Sequence, residues 1–355
     1  MNSMSKLTKK LPKVDVIVDL QFGSTGKGAL AGWLAINNDL DPYDVVVSAN
    51  QPNAGHTFID DRGNKMIHKV LPNSVVGPHV RLALIGPGAV FSPARLKEEM
   101  ETLKAMGYDQ FRVMIHDQAV ALKNRHVLAE TGMDHIGSTK QGAGAASMEK
   151  MERDPEFDPL VRREDIEDIP NVQLVCNDEY FYQLYSARRI LVEGAQGFSL
   201  GINAGFWPYC TSRNCTVSAI LDQCAVPATW IGDIYGSCRT YPIRVGGTSG
   251  PGYPDQEEST WEQIGQTPEL TTVTKKVRRV FTFSKQQIRE AIFANQPTNI
   301  FLNFANYVDD GKLFDIISTI DSAAASVGSK GRVSLLGWGP TVEDMEVRSC
   351  FDWQK

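Results

Sequence analysis

The chain has 355 residues, 42% of them hydrophobic, and a formal net charge of −6 at pH 7. That length suffices to bury a full hydrophobic core, and the dispersed lysines and arginines disfavour a nucleic-acid polymer as a partner, although a small anionic substrate needs only a few local cations. The six cysteines have no metal-ligand spacing, so they indicate reduced thiols and disfavour a disulfide scaffold.

The N-terminal segment MNSMSKLTKKLPK is basic, but the apolar run that follows it is short and contains Asp15 and Asp19. These features disfavour a signal peptide, and no window of the sequence approaches the length of a transmembrane helix. We therefore expect a soluble protein of the cytoplasm.

Seven short runs of β-branched and apolar residues predict buried strands. They are VDVIVDL (14–20), YDVVVSA (43–49), VRLALIG (80–86), FRVMIHD (111–117), RILVEGA (189–195), TNIFLNF (298–304) and GRVSLLGW (331–338). Helical patterns lie between them, such as residues 92–107, which begin with a Ser N-cap and end at Gly107. This alternation predicts an α/β fold with a mostly parallel central sheet and helices on both faces, formed by residues 1–355 as one domain.

The glycine-rich loops of this pattern follow predicted strands, where α/β sheets bind their ligands. The first is QFGSTGKGAL (21–30), in which Gly23, Gly26 and Gly28 allow backbone N–H groups to point at an anion and Lys27 supplies a cation. It is not the P-loop G-x-x-x-x-G-K-S/T, because only two residues separate Gly23 from Gly26 and Gly28 follows the lysine. The residues alone leave two interpretations open, a phosphate-binding loop or an ordinary strand-to-helix turn.

The second loop is NQPNAGHT (50–57), where His56 follows a glycine. A single histidine is more often structural than catalytic. Its neighbours favour catalysis, because Asn53, Gly55 and Thr57 could offer an amide, a carbonyl and a hydroxyl to a phosphate–magnesium group.

Two further segments are ambiguous from the residues alone. TVTKKVRRVFT (272–282) has four cations within five positions, which suits either a solvated face or a loop that binds a carboxylate. GSTKQGAG (137–144) could hold a phosphate or be a surface linker.

In their order, these loops resemble those of the adenylosuccinate synthetase family. The family motif W-G-D-E-G-K-G-K corresponds to residues 22–29, G-x-N-A-G-H-T to residues 52–57 without the first glycine, and T-T-G-R-x-R-R to the cationic segment. Four more blocks are similar to family segments: HKVLPNSV (68–75), IGPGAVFSPARLKEEM (85–100), IGSTKQGAGAASMEKMER (136–153) and EGAQGFSLGINAGFWPYCTSRNCT (193–216). The resemblance covers nearly the whole chain and implies a nucleotide-binding core with a P-loop-like start and with loop and helical excursions.

The resemblance implies a carbon–nitrogen ligase. A nucleoside triphosphate phosphorylates the 6-oxo group of a purine nucleotide, and the amine of aspartate then displaces the phosphate. Lys27 and His56 would stabilise the transferring phosphoryl group, and Mg²⁺ would be bound at Gly55 and at position 24.

The implied binding sites follow the family motifs residue by residue. The triphosphate site comprises Gly26, Lys27, Gly28, Gly55, His56, Thr57, Asn303, Gly337, Gly339 and Pro340. The purine monophosphate site comprises Ser24, Asn53, Ser138, Thr139, Gln196, Thr211 and, from the second subunit of a homodimer, Arg153. The aspartate site comprises Thr274, Lys276 and Arg278.

Three residues depart from the family pattern. Ser24 replaces the aspartate that takes the proton from purine N1, and a neutral hydroxyl cannot be that base without a partner. Because a carboxylate there would grip N1–H and the 2-amino group of guanine together, Ser24 favours a 2-amino purine as substrate. Asn303 replaces an aspartate that reads guanine of GTP, so it favours ATP or dATP as the donor, and Lys276 replaces an arginine near aspartate and the ribose.

These departures and the short chain resemble the bacteriophage branch of the family, the 2-aminoadenylosuccinate synthetases. That resemblance implies dGMP, L-aspartate and ATP or dATP as substrates, Mg²⁺ as the cofactor, and the cytoplasm of the host cell as the location. Two alternatives stay open: a conventional synthetase that uses IMP and GTP, and a silent nucleotide-binding paralogue. Three groups could take the N1 proton: the substrate aspartate, a magnesium-bound water held by Ser24, or His56.

Overall fold

A computed structural model describes residues 10–38, 40–133, 138–271 and 275–348 of the chain. Among these residues, no helix combines the length and the apolar composition that a membrane span requires.

A ten-stranded sheet forms the centre of the fold, and nine of its strands run parallel. In spatial order the strands are β17 (Met345–Val347), β16 (Arg332–Gly337), β15 (Asn299–Asn303), β11 (Ile231–Arg239), β1 (Lys13–Asp19), β10 (Arg189–Glu193), β2 (Val45–Ser48), β5 (Leu82–Ile85), β7 (Arg112–His116) and β9 (Val172–Val175). Only β17, at one edge, pairs antiparallel. The mostly parallel α/β sheet expected from the sequence is confirmed.

Each of the seven predicted runs coincides with one parallel strand of this sheet, and only β1 begins outside its run, at Lys13. The agreement arises because β-branched side chains suit strands that are buried on both faces. The pattern missed β11, although β11 lies beside β1 in the middle of the sheet. Gly232, Asp233, Gly236 and Ser237 interrupt its apolar character. It also missed β9, an edge strand that is only partly buried.

Seven further strands in the described part of the chain lie outside the main sheet. They are β3 (His56–Ile59) with β4 (Lys65–His68), β6 (Val90–Phe91) with β8 (Val120–Ala121), and β12 (Ile243–Arg244), β14 (Arg279–Phe281) and β13 (Glu258–Ser259) in a three-stranded sheet. The pair β3–β4 places His56 directly opposite His68.

Eight α-helices lie in the described part of the chain. They are α1 (Lys27–Ile36), α2 (Pro93–Ala105), α3 (Asn124–Ala129), α4 (Ala143–Glu152), α5 (Asn177–Ser186), α6 (Val217–Gln223), α7 (Lys285–Asn295) and α8 (Asp310–Ser326). Helix α2 begins as predicted, since the Ser92 hydroxyl accepts a hydrogen bond from Arg95 N, and Gly107 follows its end with φ +86°.

The order of the strands decides where the loops meet. Strand β1 lies between β10 and β11, and β2 lies on the far side of β10. The carboxyl ends of parallel strands share one edge of a sheet, so the loops after β1, β2, β10 and β11 converge there. These loops include residues 20–26, 49–55 and 194–199, which carry five of the predicted site residues: Ser24, Gly26, Asn53, Gly55 and Gln196.

Candidate active site

A cavity of about 1120 Å³ opens at this edge of the sheet. Eleven of the predicted site residues line it together: Ser24, Lys27, Asn53, Gly55, His56, Ser138, Thr139, Gln196, Thr211, Lys276 and Arg278. Six lysines and arginines but only two acidic residues, Glu130 and Asp222, are among the described lining residues. The cavity is therefore cationic although the chain is net negative, which suits anionic ligands.

Eight predicted residues do not line this cavity in the described part of the chain: Gly26, Gly28, Thr57, Arg153, Asn303, Gly337, Gly339 and Pro340. Thr274 lies outside the described residues. Asn303 is buried next to Gly26, where its Nδ2 donates to Thr25 O at 3.2 Å and its Oδ1 accepts from Phe304 N at 2.8 Å. Its predicted role in reading adenine stays a prediction.

The β1–α1 loop (residues 20–26) has the backbone of an anion-binding loop. Gly23 and Gly26 have φ of +92° and +91°, and Ser24 has φ +57°, which is uncommon for a residue with a side chain. The guanidinium of the buried Arg239 donates to Ser24 O at 3.1 Å and so supports that backbone conformation. The Ser24 side chain is exposed to the cavity.

Gly28 explains why no Ser or Thr follows the lysine. A Cβ at this position would lie 2.5 Å from Asn73 Nδ2 and 2.8 Å from Thr57 O. Helix α1 therefore starts in close contact with the His56 segment, and only glycine fits between them.

Lys27 is buried beneath the loop. Its ammonium donates to the carbonyl of Gln196 at 2.7 Å and to Asp19 Oδ2 at 3.0 Å. The lysine thereby connects the loops after β1 and β10.

Gln196 connects three parts of the site. It has φ +57°, its Nε2 donates to Asn53 Oδ1 at 3.0 Å, and its Oε1 accepts from the Arg213 guanidinium at 3.3 and 3.4 Å. Thr211, on the same segment as Arg213, lines the cavity with a buried hydroxyl that has no hydrogen-bond partner among the described residues. The Thr211 hydroxyl can both donate and accept a hydrogen bond, so it is suited to contact a ligand.

His56 is held by a carboxylate. Its Nδ1 is hydrogen-bonded to Glu193, whose other oxygen accepts from Asn73 N at 2.8 Å. Both side chains are buried, and the imidazole lines the cavity. Burial, and secondarily the positive charge of Arg95, lowers the pKa of the neighbouring His68 to about 3, so His68 places no charge beside His56 at neutral pH.

The cationic segment divides into two pairs. Lys276 and Arg278 line the cavity, whereas Arg279 forms an ion pair with Glu258 at 2.5 Å and Lys275 is exposed. Burial lowers the pKa of Arg278, and Glu269 opposes that effect. Two of the four cations are thus placed to bind a carboxylate.

The segment that begins at Ser138 leads into helix α4 along the cavity wall. Glu130 accepts hydrogen bonds from Gly142 N at 2.9 Å and Gly144 N at 2.7 Å, so a carboxylate already caps the start of the helix. Ser138 and Thr139 remain on the wall as groups that could bind a phosphate.

The model of the adenylosuccinate synthetase family matches residues 16–171 and 163–319, which is most of the chain. This chain belongs to the adenylosuccinate synthetase family. The N6-succino-2-amino-2'-deoxyadenylate synthase of Vibrio phage phiVC8 is 49% identical over 342 residues, covering 95% of this chain and 99% of the relative.

Two other members widen the comparison. The structure of the succinoaminodeoxyadenylate synthetase of cyanophage S-2L, bound to dGMP and dATP, matches with a TM-score of 0.86 and 37% identity, covering 95% of this chain and 96% of that one. The adenylosuccinate synthetase of Archaeoglobus fulgidus is 29% identical over 301 residues, covering 83% of this chain and 84% of the relative.

Sequence reasoning missed several members of this synthetase site: Asp19, Glu130, Glu193, Arg213, Arg239 and Arg244. Glu193 and Arg213 belong to the block 193–216, on which the resemblance to the family rests. Glu193 could therefore have been assigned to the site together with Gln196. Asp19 had a local signal, because it is an acidic residue near the end of the apolar run 14–20. The burial of Arg244, which lowers its pKa to about 10, depends on distant segments and had no local signal.

Replacing Glu193 with Gln tests the role of the carboxylate on His56. We expect kcat to fall on the order of 10²-fold, because the uncharged amide has one acceptor oxygen for two donors, His56 Nδ1 and Asn73 N, and no longer fixes the tautomer and orientation of the imidazole. Steady-state kinetics with each substrate varied should show KM values within a few fold of wild type.

Glu99→Gln is the matched control for this change. Glu99 is equally buried and accepts from Lys69 N at 2.6 Å and Leu71 N at 2.9 Å, but it does not line the cavity. Equal losses of kcat in the two variants would contradict a specific role for Glu193.

Proposed function

We propose that this chain is a ligase that joins L-aspartate to C6 of dGMP, with hydrolysis of ATP or dATP to the diphosphate and phosphate. The product is N6-succino-2-amino-2'-deoxyadenylate, a precursor for the synthesis of 2-aminoadenine DNA. The observation that carries the proposal is Ser24, which stands exposed on the cavity wall in a β1–α1 loop whose phosphate-binding backbone, Lys27 and neighbouring His56 are intact. The phage relatives named above support it over almost the full length of the chain.

Ser24 favours a purine with a 2-amino group. Guanine presents N1–H and N2–H₂ on adjacent positions, and a carboxylate at position 24 would bind both at once without leaving room for the reaction. The smaller, neutral hydroxyl leaves space beside the 2-amino group. The Ser24 residue is exposed on the cavity wall, and Arg239 anchors its backbone carbonyl at 3.1 Å.

The reaction proceeds in two steps in this proposal. The γ-phosphoryl group moves from the triphosphate to O6 of dGMP and the nucleoside diphosphate leaves, while the N1 proton passes to the substrate aspartate, to a water held by Ser24 or to His56. Lys27 and His56 stabilise the charge on the transferring group. The aspartate amine then forms the N–C6 bond while the C6–O6 bond breaks and phosphate leaves with O6. Lys276 and Arg278, with Thr274 as predicted, hold the aspartate carboxylates.

The nucleotide contacts are assigned from the family motifs, and the six residues placed at dGMP also line the cavity. We place dGMP against Ser24, Asn53, Ser138, Thr139, Gln196 and Thr211. The triphosphate contacts are Gly26, Lys27, Gly28, Gly55, His56 and Thr57, with its base near Asn303, Gly337, Gly339 and Pro340. For Asn303 to pair with adenine, its amide must exchange the bonds to Thr25 O and Phe304 N for bonds to the base.

The donor set at the cavity fits Mg²⁺. Ser24 offers a hydroxyl and Gly55 a carbonyl, both oxygen ligands on the wall. No group of three or more His, Cys, Asp or Glu side chains that could hold a metal occurs within the described ranges. The ion would therefore be held mainly through substrate phosphates, where it neutralises their charge.

The phage origin of these relatives suggests a cellular location for the enzyme. If a phage encodes this chain, it would act in the cytoplasm of the host cell, where nucleotides and aspartate are available.

A substrate panel tests the proposed function. Incubated with Mg²⁺, aspartate and ATP or dATP, the protein should convert dGMP into a succinylated nucleotide that mass spectrometry detects, and it should do so faster than with IMP and GTP. Product from IMP and GTP but none from dGMP would identify a conventional synthetase instead. Nucleotide binding without turnover of any purine monophosphate would identify a silent paralogue.

A Ser24→Asp variant tests the role of position 24. Asp tolerates the left-handed backbone conformation better than most residues, so the variant should fold. We expect it to lose at least about 10-fold in kcat/KM for dGMP, because a carboxylate binds N1–H and N2–H₂ unproductively.

Ser24→Asn separates size from charge, since Asn has the shape of Asp and also tolerates positive φ. Its loss of kcat/KM with dGMP should be smaller than that of Ser24→Asp. Equal activity of Ser24→Asp and wild type with dGMP would contradict the proposed role of Ser24.

A homodimer with shared sites is the proposed assembly. Arg153 follows α4 in an exposed position with φ +55° and does not line the cavity of its own chain within the described residues. It would complete the dGMP site of a second subunit. Mixing inactive Arg153→Ala with inactive Lys27→Ala should then restore about a quarter of wild-type activity, since half of the dimers are mixed and each has one intact site.

The mixture is measured after exchange of subunits, with each variant alone as the control. Activity of the mixture no higher than the average of the two separate variants would argue against a shared site.

A further inference from the structure

Asp19, the last residue of β1, lies beneath the β1–α1 loop and is only 1% exposed. Four donors from the chain that follows converge on its carboxylate. Oδ1 accepts from Gln21 N at 2.8 Å and Gly23 N at 3.2 Å, and Oδ2 accepts from Thr25 Oγ1 at 2.5 Å and Lys27 Nζ at 3.0 Å. One side chain therefore fixes the loop along its whole length.

The contacts of Lys27 limit how it can bind a ligand. An ammonium group has three N–H donors. Two of them are directed at Asp19 and at the carbonyl of Gln196. One donor is left for a phosphoryl oxygen, and two anchors on different loops decide its direction.

The charge of Asp19 also makes the burial of Lys27 possible. Lys27 is 5% exposed, and an unpaired buried ammonium is costly. Residues 20–30 contain no acidic residue. Asp19 supplies the compensating charge from below the loop, on the side away from the cavity.

We propose that Asp19 is a positioning residue for the phosphoryl transfer. It holds Lys27 Nζ and the loop amides in the geometry that the transferring group requires, and it does so without contacting the substrates. The proposal rests on the proposed function, because it assigns Lys27 to the phosphoryl-transfer step.

Asp15 provides a matched control on the same strand. It is also fully buried and also paired with a cation, since Arg189 Nε donates to it at 3.0 Å and Tyr43 Oη at 2.6 Å. It lies at the opposite end of β1 from the cavity. A purely structural role for buried carboxylates of β1 would give Asp15 and Asp19 the same kinetic phenotype.

The experiment compares Asp19→Asn and Asp15→Asn with wild type in kcat, in KM for each substrate and in thermal unfolding. We expect Asp19→Asn to lower kcat about 10- to 100-fold, the effect of misplacing one charge-stabilising donor, with KM values for dGMP and aspartate within about 3-fold. Asp15→Asn should keep kcat within about 2-fold, although both variants lose thermal stability. A kcat of Asp19→Asn equal to that of Asp15→Asn would overturn the proposal.

Thr25→Val keeps the proposal testable if Asp19→Asn does not fold. It removes the hydroxyl that is hydrogen-bonded to Ser237 Oγ at 2.6 Å and to the carboxylate oxygen that also holds Lys27, while the shape of the side chain is retained. We expect kcat to fall at least about 3-fold with unchanged KM values, and an unchanged kcat would overturn the proposal. Failure of the proposed function is visible separately, because wild type itself would then make no product from dGMP, and the ratios would be measured with the substrates that it does use.

Discussion

Strand β1 carries two buried carboxylates, and the structure depends on the cations that neutralise them. Arg189 reaches Asp15 from the start of β10, so this pair joins two neighbouring parallel strands at their amino ends. Lys27 reaches Asp19 from the start of α1 and joins the carboxyl end of the same strand to the loop above it. Removing one partner of such a pair leaves a buried charge uncompensated, which typically costs about 3–5 kcal/mol. Strand β1 is thus held in the sheet by an ion pair towards each end as well as by the packing of its hydrophobic side chains.

The site combines a family scaffold with a changed chemical centre. Lys27, His56, Gln196 and Arg278 remain in the positions that the family motifs predict, and the structure brings all four to one cavity. Ser24 differs, yet the backbone around it keeps the left-handed conformation that an aspartate would also accept. The side chain at position 24 can therefore differ between members of the family without a change in the backbone of the loop.

The sequence predicted the parallel strands well because β-branched runs are a local signal, and it predicted the loops because glycines and a lysine after a strand have a direct physical meaning. It missed β11, where glycine, Asp233 and Ser237 mask the strand although β1 and β15 hold it in the sheet on both sides. It also missed the partners of the predicted residues. Glu193 is 137 residues from His56 in the chain, and no local pattern could have joined them. The residues predicted to contact a ligand carry recognisable motifs, whereas the residues that hold them in place depend on the tertiary fold.

The close approach of α1 to the strand that carries His56 has a mechanical consequence. Gly28 and Gly32 lie one turn apart on the helix, and a Cβ at either would collide, at Gly28 with Asn73 and at Gly32 with the ring of Phe58. Because the ring of Phe58 and the side chain of Asn73 lie directly against the helix backbone, α1 and β3 cannot approach each other further. A narrowing of the cavity around a ligand is therefore easier on the opposite wall, where residues 138–141 and 275–277 are less deeply buried. The helix wall is the tightly packed side of the cavity, and the more exposed side carries Ser138 and Lys276.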